Sequence, residues 1–408
     1  MAIAEPNKPP MPFAIAPTQA APQAGTHSLP HDTALAHVHN LADFAKLETD
    51  WRELERQSPA TSLFQSFDWL QSWAAVYLTE GNSTQPFIVT GTLGGKLVFA
   101  WPLMLQRHGP VKVLRWLSKP LAQYGDVLMA PGLCPRAWLP AALRLIRDES
   151  GADMIRLRHV RADAAVAPFL TTHFRDSQQH DLAPVLDLTA FANEAAYEAR
   201  YTSSQRKRRK KIRKGLEDAI GPVQFEILDQ GSACDQAIAE AVHEKHRWLA
   251  ARGRKNQALC EDKIAAFLRE LSRRRAGSVS LVTSCMTAGG KPVSWEIGLR
   301  KGRTHFGFIT SHRTDLTDYS PGRLHMDLSQ RQALRDGMSA FDLMVPNDPH
   351  KESWSSSKVE VRDHHLPLTA LGRLYSLGYV ETARPLLRKA YYAMPPELLK
   401  LLKPVTGH

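Results

Sequence analysis

The sequence predicts an α+β protein built from two units, each a mixed, mostly antiparallel sheet flanked by helices. Apolar runs joined by tight turns recur in both halves, and strands joined that way must be antiparallel. Helical periodicity intervenes between them in the same order twice. A length of 408 residues, with 43% apolar and 23% charged residues, suits two ordinary globular domains.

Residues 1–34 are rich in Pro and Ala, carry few charges and no period, and read as a disordered arm. The N-terminal unit, residues 35–200, is expected to be ordered from Val38. A helix covers Leu41 to Glu55, and a second begins after Ser66, with Phe67, Leu70, Trp73, Ala74 and Tyr77 on one face. Pro86–Thr90 and Lys96–Ala100 then form a hairpin across Gly91 to Gly95. A strand at Asp126–Met129, a helix near Trp138–Arg147 and a strand at Met154–Leu157 complete this unit. The C-terminal unit, residues 201–370, repeats the order. Val223–Leu228 is a strand, and two helices follow, marked by Ile238, Ala241, Val242 and Leu249 and by Ile264, Phe267, Leu268 and Leu271. Strands near 278–285, 291–300 and 303–311, a helix from Gly322 to Asp336 and a strand at Phe341–Met344 close it. The boundary is expected between residues 190 and 205. Residues 371–408 read as a helical tail, with Leu386 to Leu402 interspersed with Lys and Arg.

Several functions are excluded by what the residues lack. No run approaches the roughly 20 apolar residues of a spanning helix, and the first thirty residues do not form a secretory signal. Cys134, Cys234, Cys260 and Cys285 contain no C-x-x-C pair, so a reducing cytoplasm is expected, without a disulfide framework or cysteine zinc site. His243-Glu244-Lys245-His246 spaces its histidines one short of H-E-x-x-H, and Glu240-Ala241-Val242-His243 has no second copy, so no metal is expected. Gly91 to Lys96 is not a P-loop, and neither G-x-S-x-G nor G-x-G-x-x-G occurs.

The formal charge of +11 is concentrated. Residues 206–214 hold eight basic residues in nine, and without them the balance falls to +3. A partner carrying phosphates or carboxylates is the natural inference. Arg208, Ile212, Leu216 and Ile220 share a helical stripe, so this segment should dock through Ile212 and Leu216 and present cations elsewhere. Arg206, Arg208, Arg209, Lys210 and Arg213 are the candidate anion-binding residues. A solvated cationic face near a linker is the competing reading. Aromatic interleaving between Gln205 and Phe225 is absent, which argues against a single-strand nucleic-acid platform.

Tyr319-Ser320-Pro321-Gly322-Arg323 lies after a strand and before a helix. Ser320 can cap, Pro321 suits the first helical position, and Gly322 lets a ligand approach the backbone. A helix start presents free N–H groups and the positive end of the dipole, and Arg323 adds a two-pronged phosphate donor. An ordinary capped helix with a surface arginine has the same sequence.

These segments together resemble the bacterial CelD/BcsL-like acetyltransferases of cellulose and exopolysaccharide biosynthesis, which are tandem GNAT proteins akin to Fem-type aminoacyl ligases. The resemblance spans roughly residues 60–375. It rests on Leu63–Leu70, Tyr124-Gly125-Asp126, the Ser204–Lys214 helix, Pro292–Gly298, Ser320–Arg323, and Phe341-Asp342 followed by Lys351 and Trp354. His350 departs from it, standing where a tyrosine is expected. The resemblance implies a tandem GNAT-like fold, with acyl-CoA, acetyl-CoA above all, as donor and co-substrate. It also implies a pantetheine arm along the strand carrying Phe306 and Phe308, which splays from the strand of Phe341–Met344. Both rings are equally readable as sheet core.

Glu296 is the expected general base. It alternates with Val293, Trp295, Ile297 and Leu299 and shares a face with Ser294 and Gly298, where it either lines a cleft with a raised pKa or stays solvated. Asp342 and Lys351 carry over as a pair that binds the acceptor or ties down its loop.

The expected function is direct acyl transfer from acyl-CoA to a hydroxyl or amine, on a small molecule or saccharide, in exopolysaccharide or cellulose biosynthesis. The expected location is the cytoplasm or the inner membrane face. A Fem-like transferase using aminoacyl-tRNA is one alternative, and only there is nucleic acid expected. The other is a non-enzymatic scaffold binding anionic lipid or polymer through residues 206–214 and the tail.

Overall fold

The computed structural model describes residues 28–394 apart from 79–83, 229, 253–262 and 275–276. Most of the expected arm lies outside the described residues, but order begins earlier than Val38. β1 (Thr33–Val38) pairs antiparallel with β2 (Thr84–Leu93), which pairs with β3 (Lys96–His108), which pairs with β4 (Val111–Trp116). Between β1 and β2 run α1 (Leu41–Lys46), α2 (Glu48–Arg56), a 3-10 segment and α3 (Phe67–Tyr77). After β4 come the short β5 (Leu128–Met129), α4 (Pro135–Glu149), β6 (Met154–Arg161), α5 (Ala167–His173), β7 (Arg175–Asp187) and α6 (Glu194–Ala199).

The second half opens with the basic helix α7 (Ser203–Ile220) and continues through β8 (Val223–Leu228), α8 (Ser232–Ala251) and α9 (Lys263–Ser272). Then follow β9 (Val279–Ala288), β10 (Lys291–Lys301), β11 (Thr304–His312), α10 (Pro321–Arg335), β12 (Ala340–Asp342) and α11 (Pro349–Glu352). β13 (Ser357–Pro367) leads into the tail, where α12 (Ala370–Tyr375), a π-helical stretch (Ser376–Ala383) and α13 (Arg384–Ala393) run end to end. The tail beyond residue 394 lies outside the described residues.

All thirteen strands belong to one sheet, ordered β1-β2-β3-β4-β6-β13-β7-β12-β11-β10-β9-β8, with β5 beside β3. β4 with β6 and β11 with β12 are its parallel pairs. β7 and β13, absent from the sequence-based expectation, sit at its centre in exchanged places. β13 comes from the second half yet pairs with β6, while β7 comes from the first half and pairs with β12. A line drawn at residue 200 therefore does not separate two sheets.

Side-chain packing joins the halves as well. On one face, Trp69 and Trp73 of α3 share a core with Ile238 of α8, Phe267 of α9, and Trp295, Ile297 and Leu299 of β10. On the other face α7 docks as its stripe predicts. Leu216 is fully buried, with Ile212 and Ile220 partly buried against a cluster that contains Val293 and Leu324. Val293 reaches this cluster because a bulge between Pro292 and Ser294 shifts the register of β10 against β9. The simple alternation expected of β10 fails there.

Candidate functional site

The parallel ladder of β11 and β12 has three pairs, Thr304 with Ala340, His305 with Phe341 and Phe306 with Asp342. β11 continues to His312 while the other chain turns away through Leu343, so the strands splay as expected. A bulge between Ile297 and Gly298 in the β10–β11 register skips Phe308, just where the opening begins. Phe306 is fully buried core, and Phe308 is partly buried against the Trp69 ring, centroids 5.5 Å apart. Phe308 alone of the two stands at the boundary of the opening.

The chain leaves β11 through a 3-10 turn and enters α10 at Ser320. Ser320 adopts the left-handed conformation, φ 52°, and its side chain makes no capping bond. The expected side-chain cap is therefore wrong, and a non-glycine residue there is strained. Pro321 takes the first helical position. A Cβ on Gly322 would lie 3.2 Å from His312 Nδ1, so this glycine admits the imidazole to the helix start. Arg323 stands at the same end. Burial lowers its pKa, and so do the neighbouring charges of Arg208 and Arg209.

Basic groups to which sequence reading gave no role gather near this opening. Lys245 of α8 donates to the Thr310 carbonyl (3.1 Å), and its pKa is pushed down to about 8 by burial and by Lys351 and Arg252. His312 is held below the ordinary imidazole range by burial and then by Lys245. His350 is lowered by burial and by Arg323. Lys245 lies inside the segment that resembles a zinc-protease helix, which drew attention to its flanking residues instead. Among the described residues no group of His, Cys, Asp and Glu can hold a metal ion.

A cleft of about 780 Å³ runs from Arg323 between α6, α7 and α10. Nine Arg and Lys side chains line it against three carboxylates, Glu194, Glu198 and Asp327. All three carboxylates are engaged. Arg331 contacts Glu194, Glu198 and Asp327, Arg335 contacts Glu194 (2.6 Å), and Arg209 pairs with Asp327. Arg209 is also stacked on the rings of Tyr201 (3.9 Å) and Trp354 (4.8 Å). Arg206 donates to the Tyr201 carbonyl, and Arg213 pairs with Glu217 (2.9 Å). Three of the five expected anion-binding residues thus hold the helix in place. Arg208 and Lys210, with Arg323, have no carboxylate partner among the described residues and face the cleft.

The catalytic expectations change most. Glu296 is 1% exposed and lies beneath α10, not along a cleft. Arg300 Nε donates to His305 Nδ1 (3.2 Å), so the His305 Nε2 proton is given to Glu296 Oε1 (2.7 Å). Burial pushes the Glu296 pKa up, but the hydrogen bond from His305 outweighs it, and the net shift is downward. That is the opposite of what a cleft base requires. Asp342, 2% exposed, accepts from Tyr124 Oη (2.8 Å), Arg161 Nη1 (2.6 Å) and the Met344 amide (2.7 Å). Lys351 donates to the carbonyls of Met344 and Pro346, each at 2.9 Å. Asp342 pins the halves together and Lys351 ties down the loop after β12. Tyr124-Gly125-Asp126 is equally structural. A Cβ on Gly125 would strike the Trp116 ring at 2.0 Å, and Asp126 accepts the amides of Val127, Ala165 and Val166.

Comparison with known proteins bears on the fold. Residues 203–352 match the family model described as an acetyltransferase (GNAT) domain. No curated protein matches the chain. Among solved structures, FemX superposes with a TM-score of 0.57 at 9% identity, covering 84% of this chain and 99% of its own. The C-terminal domain of a putative lysylphosphatidylglycerol synthetase from Agrobacterium fabrum gives 0.50 at 10% identity, covering 82% and 95%. At such identities the likeness is one of fold. The chain has the α+β, tandem GNAT-like fold, and its second half matches the GNAT acetyltransferase domain in sequence.

Proposed function

We propose that this protein moves an acyl group, acetyl in the simplest case, from acyl-CoA to a hydroxyl or amine on a small-molecule or saccharide acceptor. The observation that carries this reading is the β11–β12 opening, which leads to the left-handed Ser320 turn and meets the basic cleft at Arg323. The thioester arm fits the opening. The diphosphate fits the start of α10, where the helix dipole and Arg323 favour negative charge. Arg208 and Lys210 supply further phosphate contacts.

The acceptor oxygen or nitrogen attacks the thioester carbonyl, the C–S bond breaks, and the CoA thiol leaves. The acceptor's proton must go to a group near that carbon. Glu296 is sealed away from it. His312, against Gly322 at the start of α10, stands at the diphosphate end of the donor and not at its thioester, so in this reading solvent water takes the proton. Placement in exopolysaccharide or cellulose biosynthesis rests on the sequence resemblance alone. Calorimetric titration with acetyl-CoA tests the donor, and absence of binding by the intact chain overturns the reading.

The density of cations along α7 supports a second reading, an aminoacyl-tRNA-dependent transferase. Gel-shift titration separates the two, because tRNA binding must weaken steeply with salt. As to location, no helix among the described residues is long and apolar enough to cross a membrane. Leu371, Leu374, Leu377, Leu386 and Leu387 are exposed along the tail, where Arg373 and Lys389 add positive charge. This strip supports attachment to an anionic bilayer surface, which liposome sedimentation tests.

A further inference from the structure

The first half repeats the device found in the second. The parallel pair β4–β6 is joined at only two positions, Val113 with Met154 and Leu114 with Ile155. After β4 the chain again passes through a serine in the left-handed region, Ser118 (φ 68°). Five basic side chains gather at this second opening, namely Arg115, Lys119, Arg156, Arg158 and His159.

The cluster is poorly compensated. Asp363 is 7% exposed, and its oxygens are taken by Arg158 Nε (2.8 Å) and the His159 amide (2.9 Å). Arg115 donates to the neutral Gln106 side chain (2.7 Å), and among the described residues it has no carboxylate partner, with Arg384 a further cation nearby. Arg156 has no hydrogen-bond partner among the described residues, and its Nη2 is shut off from solvent. Nearby Glu381 is occupied by His365 (3.0 Å), Ser376 (2.9 Å) and Arg175 (3.3 Å). His159 lies between Lys119 Nζ (3.3 Å) and Arg158 Nη2 (3.4 Å). A singly protonated imidazole can accept from only one of them, and burial drives the Lys119 pKa far down. Three guanidiniums then share one carboxylate, which is costly unless a further anion joins them. Tyr375 and Tyr379 of the tail, rings 5.1 Å apart, pack beside Val111, Val113 and Met154 and close the apolar end of this face.

We propose that Arg115, Arg156 and Arg158 form a second anion site, for a phosphoryl group, in the opening of the first half. It is independent of acyl-CoA binding at α10.

Thermal unfolding of the full chain in inorganic phosphate, methyl phosphate and a hexose 1-phosphate, each against chloride at matched ionic strength, tests it. At least one phosphoryl compound should raise Tm by several degrees, because a ligand of the native state stabilises by mass action. Arg156→Gln should abolish that rise and leave the ligand-free Tm equal or higher, since it removes an unpaired charge. Arg115→Gln should weaken it, and Arg323→Gln should preserve it. A response to hexose 1-phosphate alone identifies a sugar-borne group as the source, and a response to all three identifies the phosphoryl group itself. The proposal is overturned if no compound raises Tm above the chloride control, or if Arg156→Gln keeps the full rise. It is equally overturned if Arg323→Gln removes the rise, which would place the anion at α10.

Discussion

The two parallel openings in this sheet use the same construction for different ends. In the second half, β11 and β12 separate after three pairs, and the space leads past Phe308 and His312 to a helix start and an open basic cleft. In the first half, β4 and β6 separate after two pairs, but Lys119 reaches in to donate to the Ala122 carbonyl (2.5 Å), and Trp69 Nε1 donates to Ser118 Oγ (2.8 Å). One opening admits a long ligand, whereas the other is closed by its own side chains apart from an arginine pocket. Asp342 stands between them, on the strand that ends one opening and bonded to residues of the other half. A duplicated fold thus keeps its geometry while side chains decide which opening stays free.

The largest expected effect comes from cutting that link. Asp342→Ala leaves Arg161 and Tyr124 buried without their acceptor and should cost about 3–5 kcal/mol of stability in chemical denaturation. A loss below about 1 kcal/mol would mean that the halves are held by apolar packing alone. His312→Gln, at the diphosphate end of the opening, should raise the acetyl-CoA Kd more than it lowers kcat in steady-state kinetics. An unchanged Kd would separate His312 from the donor site.

Arg323→Ala should raise the acetyl-CoA Kd roughly tenfold or more, the weight of one charge-assisted hydrogen bond. Lys119→Met, the matching change in the closed opening, should leave that Kd alone. Equal effects from both would erase the distinction between the openings.

The smallest effect is on acid stability. His325, on the buried face of α10 with Nε2 2.8 Å from Ser284 Oγ, has its pKa lowered to about 4 by burial. Its folded value lies below the unfolded one near 6.5, so its contribution is full above about pH 6.5 and is lost as pH falls through about 4. His325→Asn should flatten stability across that window, and an unaltered slope would show that another group governs it.

Much of the fold was legible where periodicity and turn chemistry agree. The stripe of α7, the helices at Ile238 and Ile264, and the β9–β11 strands stand as their residues suggest. β7 and β13 were not legible. Their segments are polar, with Pro184, His364 and His365 among charged residues, and they are strands because the sheet surrounds them, not because they alternate. The site divides in the same way. The Ser320–Arg323 turn showed in local chemistry, and Arg208 showed in charge density. Lys245 and His312 did not, because a lone Lys in a helix and a lone His at a strand end acquire meaning only from what folds beside them. Glu296 misled because β10 lies between helices on both sides, so its alternate residues are all buried and alternation cannot tell cleft from core.

The interleaving of β7 and β13 has a practical corollary for anyone dissecting this chain. A fragment trimmed to residues 203–352 would present β12 with its neighbour missing, a raw hydrogen-bonding margin that invites self-association. The complementary piece would lose the ribbon inserted between β6 and β7. The two halves are therefore one folding unit, and co-expressed pieces should associate into a soluble complex only where each carries the strand its counterpart lacks.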